Sequence, residues 1–237
     1  HVACEVSLSS ISTMSSSKLT ADAKFGVDIG DMRIRYKGKD ETFTEDQLVS
    51  KEPIGQFKAW FEEASKNPNI MEPNTMFLAT ATKYFLQYRF LQRWNSYIIF
   101  SICNAAYFYW QPLRRGVRME GRAVKTSPED SDHYFQTRPY SCQIGSMSSK
   151  QSSVIASRET LIVRERELLA QFPKGQVKRP DCWGGYIIIP HSVEFWQGQS
   201  DRLHDRIHFR RPMPNEKIDN VLLHRGDDGW VYERLSP

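Results

Sequence analysis

Cysteines are few in this chain, and they form neither pairs nor clusters. Only four occur among 237 residues, and none belongs to a CxxC motif. This spacing excludes a disulfide-stapled secreted scaffold and a cysteine-ligated metal centre, so no metal is expected. Free thiols are typical of a reducing compartment, and the sequence therefore predicts a cytoplasmic protein.

Long apolar runs are also missing. The longest, residues 97–110, is too short to cross a membrane and contains Asn104, so it is interpreted as a buried strand and no membrane partner is expected. The first residues are rich in Ser and Thr and lack a basic region followed by an apolar core. We therefore predict no secretory leader and expect residues 1–28 to be disordered.

Strong charge of one sign is absent as well. The net charge of +4 suits an anionic small molecule as well as a nucleic acid. The chain carries no RNA-recognition signature and no zinc-finger spacing, so a nucleic-acid partner is not expected. With 40% hydrophobic and 12% aromatic residues, the chain can bury one core, and residues 29–237 are predicted to form a single domain.

The most informative feature that is present is a charged run near the C-terminus. Arg202, His204 and Arg206 alternate along a predicted strand over 202–211 and would project from one face. Two guanidinium groups and an imidazole on one face suit a doubly charged anion. A solvated edge strand that discourages aggregation explains the same pattern without any ligand. The opposite face of this strand is predicted to be buried and contains Leu203, Ile207 and Phe209.

Two helices have clear sequence signals. Apolar residues spaced by three and four over 57–64 predict one helix, which ends at Asn67. Ser127 followed by Pro128 predicts the start of another, on which Tyr134 and Arg138 share a face. Packing and a helix C-terminal cation explain these last two residues without a ligand.

A further helix is predicted over 157–172, and the remaining chain is mostly short strands. These strands are predicted over 76–82, 185–189, 193–197 and 229–235. Many short strands with few helices predict a mainly β fold with flanking helices, arranged as a closed or split antiparallel barrel.

Three blocks of sequence resemble the pyridoxamine 5′-phosphate oxidase family. The longest, residues 183–237, contains WGGYIIIP, EFWQGQSDRLHDRIHFRR and GWVYERLSP. The second contains YFQTRP, QIG and SKQSS within residues 134–153, and the third is MRIRY at 32–36. This resemblance implies an FMN-binding split β-barrel that forms a homodimer with FMN at its interface.

The resemblance also implies roles for individual residues. The implied FMN contacts are Gln151, Ser152, Trp196 and Arg206. The implied substrate contacts are Arg33, Tyr36, Tyr134, Arg138, Cys142, Arg202 and His204. Among them Arg202 and His204 would also orient the reacting carbon, and Arg33 and Tyr36 would close over the site. Ordinary loop capping explains Gln151 and Ser152 without a cofactor, and an exposed basic tail explains Arg33 and Tyr36.

The implied activity is FMN-dependent oxidation of pyridoxamine 5′-phosphate, and of pyridoxine 5′-phosphate, to pyridoxal 5′-phosphate in vitamin B6 salvage. Dioxygen would be the oxidant and hydrogen peroxide the second product. The protein would position this small-molecule substrate against the flavin.

Residues 83–105 depart from the family. They lack an Arg-x-x-Leu-Leu-Lys segment and a following Ser-Arg-Lys segment, which in the family carry much of the FMN phosphate site. Gly116 stands where the family has a Gln, and Cys142 stands where it has a phosphate-binding Ser. The alternative hypothesis is therefore a catalytically impaired homologue or a mis-spliced isoform that binds pyridoxal phosphate or only dimerises.

Overall fold

A computed structural model describes residues 42–82, 85–91 and 103–237. All of them fall within one compact unit, Tyr36–Pro237. The predictions of disorder over 1–28 and of substrate contacts by Arg33 and Tyr36 lie outside the described residues. No helix within the described ranges is long and apolar enough to cross a membrane.

The described residues form four α-helices and eight strands. The helices are α1 (Pro53–Lys66), α2 (Pro128–Thr137), α3 (Tyr140–Ser148) and α4 (Arg158–Gln171). The strands are β1 (Met76–Thr82), β2 (Phe85–Leu91), β3 (Cys103–Trp110), β4 (Arg115–Lys125), β5 (Tyr186–Gln197), β6 (Asp205–Arg210), β7 (Leu223–Arg225) and β8 (Val231–Arg234).

All eight strands belong to one antiparallel sheet in the order β2-β1-β3-β4-β5-β6-β8-β7. Among the described residues the two end strands, β2 and β7, do not pair, so the sheet is open. The prediction of a mainly β fold with flanking helices is confirmed.

Helix α1 covers the middle of the sheet, as its apolar stripe predicts. Glu52 caps its first turn, and Pro53 occupies the first helical position, where its missing N–H is not needed. Trp60 and Ala64 are buried, and the Trp60 ring packs edge-on against Phe195 of β5 at 5.2 Å. Burying a large aromatic ring of this kind contributes about 1.5–3 kcal/mol, so this contact fixes α1 on the sheet.

Strand β5 is longer than its sequence predicts. The segments 185–189 and 193–197 form one continuous strand, because Pro190 pairs with Gly121 at a register shift that leaves His191 as an extra residue. A proline is tolerated at such a bulge, since a ladder hydrogen bond is already lost there. Gly121 is required opposite it, because a Cβ atom would collide with the Ile189 carbonyl.

A second, smaller core lies under helices α2, α3 and α4. Ser127 caps α2 as predicted, and its hydroxyl accepts a hydrogen bond from the Asp130 N–H at 3.0 Å. Helix α3 was not predicted, although Pro139 at its N-cap position is a recognisable start signal. The buried residues of this core are Phe135, Ile144, Leu168 and Val177.

Candidate active site

The predicted strand over 202–211 is wrong at its start. Strand β6 begins only at Asp205, and Arg202 lies in the preceding turn with a positive φ of 66°. Leu203, expected to be buried, is 67% exposed. The turn forms because the Asp201 carboxylate accepts the Leu203 N–H at 3.0 Å, a side-chain bond typical of Asp in turns. Alternation along a strand therefore does not place Arg202 and His204 beside Arg206.

His204 is nevertheless held close to the sheet. Its ring lies 4.8 Å from that of Trp196 in β5, and its Nδ1 accepts the Gln199 N–H at 2.9 Å. Burial, together with the charge of Arg202, lowers the pKa of His204 against the opposing charges of Asp201 and Asp205. This lowered pKa favours the neutral imidazole.

Arg206 lies on β6 directly opposite Trp196, and it is positioned by two contacts. Its Nε donates to the Glu194 carboxylate at 2.7 Å, and its Nη1 donates to the Ser236 carbonyl at 2.7 Å. Glu194 is only 7% exposed and also accepts a bond from Arg118 at 2.8 Å. Burial alone would raise the pKa of Glu194, but these two guanidinium groups outweigh it and hold that pKa below its ordinary value.

Sequence reasoning missed Glu194. Its own segment gives no signal, because alternation between the buried residues Val193 and Phe195 predicts that Glu194 lies on the other, exposed face. Its partners, Arg118 and Arg206, come from two neighbouring strands, which only the pairing of the strands reveals.

We expect Glu194→Gln to lower the free energy of unfolding at pH 7 by about 1.5–3 kcal/mol, the usual contribution of a hydrogen bond to a charged group. Because the folded pKa of Glu194 lies below its unfolded value, its contribution is complete above about pH 4.5. It is lost as the pH falls through the folded pKa, so the difference between variant and wild type should shrink there.

Chemical unfolding at neutral and acidic pH measures this difference. Glu62→Gln is the matched control, because Glu62 is half-exposed on α1 and its pair with Lys58 at 4.0 Å should contribute almost nothing. A Glu194→Gln deficit that stays constant down to acidic pH would show that the carboxylate charge is not responsible.

A second cluster surrounds Trp183, just before β5. The Tyr134 ring stacks on the Trp183 ring at 6.0 Å, and the Arg138 guanidinium carbon lies 5.1 Å from the centre of the same ring. Arg138 is the C-cap of α2 rather than part of the helix, yet both predicted side chains reach one surface. Tyr134 is 63% exposed, so one edge of its ring is available to a ligand.

Side chains of α3 hold this second cluster in place. Arg138 Nη1 donates to the Ser146 hydroxyl at 2.6 Å, and that hydroxyl donates to the Cys142 carbonyl at 2.8 Å. Buried Gln143 donates to the carbonyls of Phe135 and Arg138, each at 3.2 Å, and so caps the end of α2. Neither Trp183 nor Gln143 was predicted as a site residue, although both belong to the blocks that resemble the family.

Gln151 and Ser152 lie in the exposed loop between α3 and α4. They line a cleft of about 910 Å³ whose walls carry several serine hydroxyls and charges of both signs, including Lys150 and an ion pair between Arg164 and Glu167 at 3.0 Å. Ser152 adopts a positive φ of 64° there. The cations and carboxylates that line the cleft are equal in number, so charge alone does not select an anionic ligand there.

Apart from Gln151 and Ser152, the predicted site residues that are described within one chain form two separate clusters. Trp196, with His204 and Arg206 around it, is the second-last residue of β5. Trp183 lies shortly before the first residue of the same strand. The strand path from Tyr186 to Trp196 is about 33 Å long at the usual rise per residue. One small ligand therefore does not reach both ends of β5 within the same chain.

The fold is shared with solved structures. The crystal structure of PhzG from Burkholderia lata 383 in complex with tetrahydrophenazine-1-carboxylic acid matches 84% of this chain and 98% of its own, with a TM-score of 0.67 and 25% identity. A pyridoxamine 5′-phosphate oxidase-related, FMN-binding protein from Nostoc punctiforme PCC 73102 matches 76% and 97%, with a TM-score of 0.53 and 13% identity. The fold is thus the split barrel of this class of protein, as predicted.

Sequence comparison identifies the family. A profile of the "Pyridoxine 5′-phosphate oxidase C-terminal dimerisation region" matches residues 183–237. The "Pyridoxine/pyridoxamine 5′-phosphate oxidase" of Bombyx mori is 51% identical over 231 residues, covering 89% of this chain and 90% of that protein. The "Pyridoxine-5′-phosphate oxidase" of Bos taurus is 43% identical, covering 89% and 88%. The chain therefore belongs to the pyridoxine/pyridoxamine 5′-phosphate oxidase family of oxidoreductases, which confirms the resemblance.

Proposed function

We propose that this chain binds FMN and oxidises pyridoxamine 5′-phosphate and pyridoxine 5′-phosphate to pyridoxal 5′-phosphate with dioxygen, giving hydrogen peroxide, in vitamin B6 salvage. One observation carries the proposal: each end of β5 pairs an aromatic ring with a guanidinium group. The Arg138 guanidinium lies over the Trp183 ring at one end, and at the other end Arg206 lies directly opposite Trp196 on the neighbouring strand. Both the substrate and FMN combine a planar ring with a phosphate, which such pairs suit.

The residues present fit one side of the flavin. Trp196 offers an aromatic wall, and Arg206 offers a guanidinium that Glu194 holds in place. Gln151 and Ser152 would contribute from the hydroxyl-rich cleft. Bound FMN would supply the redox chemistry, whereas the protein would bind and orient the substrate.

Position 116 limits this fit. Gly116 pairs with Trp196 in the sheet, and a Cβ atom at this position would collide with the Tyr107 hydroxyl. The space that a Gln side chain would need is therefore filled by Tyr107. A flavin contact from position 116 would require that ring to move.

Five residues would bind the substrate in the described part of the chain. Tyr134 and Arg138 would take the phosphate, with Cys142 beside them as a weaker donor than the Ser of the family. Arg202 and His204 would orient the reacting carbon. Arg33 and Tyr36 would close over the site, as the resemblance implies.

We infer that the working protein is a cytoplasmic homodimer. The dimerisation profile covers residues 183–237, which include Trp183, His204 and Arg206. The same region exposes apolar side chains on β5, Ile187 and Ile189, which a second copy would cover. Among the residues whose side chains are described, Cys142 and Cys182 are free thiols, in keeping with a reducing compartment.

We expect Arg202→Ala to weaken pyridoxal phosphate binding about tenfold or more, because a lost charge-assisted hydrogen bond costs about 1.5–3 kcal/mol. Arg210→Ala is the matched control. Arg210 already pairs with Glu216 at 2.7 Å and Glu233 at 3.0 Å, so its loss should reduce stability rather than affinity. Equilibrium dialysis with pyridoxal phosphate measures the affinity of each variant, and equal losses would favour a solvated charged surface over a binding site.

A non-catalytic function is the second candidate, and residues 83–105 favour it. A chain that lacks the family's phosphate-binding segments could bind pyridoxal phosphate, or only dimerise, without oxidising a substrate. Sequencing the transcript across codons 82–106 tests whether these residues are genuine, since a family segment in the message would show that residues 83–105 come from a wrongly predicted exon and not from a divergent protein.

A further inference from the structure

The hydrogen bond at His204 fixes the position of the ring proton. The Gln199 main chain approaches His204 Nδ1 at 2.9 Å, and a backbone N–H can only donate. His204 Nδ1 must therefore accept and cannot carry a proton. A neutral imidazole has one N–H, so the proton resides on Nε2.

A network of buried hydrogen bonds holds Gln199 in this position. Its side-chain Nε2 donates to the Asp205 carboxylate at 2.8 Å, and Gln199 and Asp205 are only 4% and 7% exposed. The other oxygen of Asp205 accepts from Arg234 Nη1 of β8 at 2.8 Å. The Phe43 N–H also donates to Asp205, at 2.9 Å, so the loop is tied to both ends of the described chain.

We propose that Gln199 is a positioning residue that locks His204 as an Nε2–H hydrogen-bond donor, so that His204 donates to an oxygen of the phosphorylated substrate instead of removing a proton from it. Nε2 already carries its proton, and a proton on Nδ1 would face the Gln199 N–H. His204 therefore cannot accept a proton without breaking the loop contact. Among the residues that the structure describes, the charges that act on the ring are those of Asp201, Arg202 and Asp205. This inference rests on the proposed function for the identity of the ligand.

The first test of this lock, the fixed Nε2–H tautomer of His204, requires neither bound flavin nor catalytic turnover. In protein labelled with ¹⁵N-histidine, nitrogen–proton correlation spectra at pH 7 should show His204 as the Nε2–H tautomer, its signals identified by their loss in His204→Gln. Gln199→Ala should give a mixture of the two tautomers, because the side-chain hydrogen bond that holds residue 199 to Asp205 is lost. A wild-type ring protonated on Nδ1, or on both nitrogens, would overturn the lock.

Two substitutions then separate the donor role from a base role. In His204→Asn the amide oxygen takes the place of Nδ1 as an acceptor, and nothing replaces the Nε2–H donor. In His204→Gln the amide N–H takes the place of Nε2–H. We expect His204→Asn to weaken pyridoxal phosphate binding about tenfold and His204→Gln about threefold or less. A residue acting as the base would instead lose about 100-fold or more in kcat in both variants, with pyridoxal phosphate affinity unchanged.

His191→Gln is the control, because His191 is exposed at the bulge of β5 and should change neither quantity. Equal affinity losses in His204→Asn and His204→Gln would contradict the donor role. If the unmodified chain binds no pyridoxal phosphate at all, the proposed function and the donor role both fail. The tautomer spectrum still decides whether the lock exists.

Discussion

The chain as it stands should bind FMN more weakly than an intact family member, and so purify with little flavin, whereas replacing residues 83–105 by a family-type segment should give yellow, flavin-loaded protein. The resemblance assigns much of the FMN phosphate site to an Arg-x-x-Leu-Leu-Lys segment and a Ser-Arg-Lys segment, and both are missing here. A phosphate placed in a protein without its donors is costly. Losing two charge-assisted hydrogen bonds, at about 1.5–3 kcal/mol each, weakens binding by about 100-fold or more.

The exchange is practicable because β1, which precedes the segment, and most of β3, which follows it, stay in place. Strand β1 pairs with β3 on one side, from Phe77 opposite Tyr107, and β3 pairs with β4 beyond it. The replaced residues comprise β2 at the sheet edge and the first residues of β3. The core contacts of α1 with β5 lie outside the exchange.

Flavin absorbance of the two purified proteins measures the effect, followed by peroxide production with pyridoxamine phosphate. The matched control is a replacement segment of the same length whose Arg and Lys residues are changed to Ala, which should restore the length of the chain but not the colour. If the unmodified chain purifies fully flavin-loaded and active, residues 83–105 are not a damaging replacement.

Local signals predicted the local structure well. The apolar spacing over 57–64 and the Ser127-Pro128 pair predicted α1 and the start of α2, because helix periodicity and capping depend on residues within one or two turns. The turn before β6 was missed, although Gly198, Ser200 and Asp201 are turn-forming residues. The alternation of charged residues predicts a strand face over 202–206, but these turn-forming residues make a turn there, so His204 does not lie on a strand face.

Contacts between distant segments could not be predicted in the same way. Glu194 meets Arg118 across a strand pair, and Asp205 meets Phe43 from 162 residues away. These partners depend on sheet order and register, which the sequence of each segment does not specify. Residue types in the matching blocks indicated where a site would lie, but not that its parts occupy opposite ends of β5.

That separation leads to the last prediction, which concerns two chains. If the homodimer completes each site with Arg138 from one chain and Arg202 from the other, then Arg138→Ala and Arg202→Ala homodimers should each lose pyridoxal phosphate affinity about tenfold or more. A heterodimer of the two variants behaves differently. One of its sites collects both defects, and the other collects both wild-type side chains, because a two-fold interface makes the two sites equivalent.

The heterodimer, purified through a different tag on each chain, should therefore bind pyridoxal phosphate with wild-type affinity at one of its two sites. Light scattering first establishes that the protein is dimeric, and a heterodimer of wild-type chains with both tags is the control for two intact sites. If each site instead lay within a single chain, every site of the mixed dimer would contain one defect and none would bind tightly. The 12-residue length of β5 between the two clusters favours a site shared by two chains. Each chain would then contribute the cluster at one end of β5 to one site and the cluster at the other end to the second site.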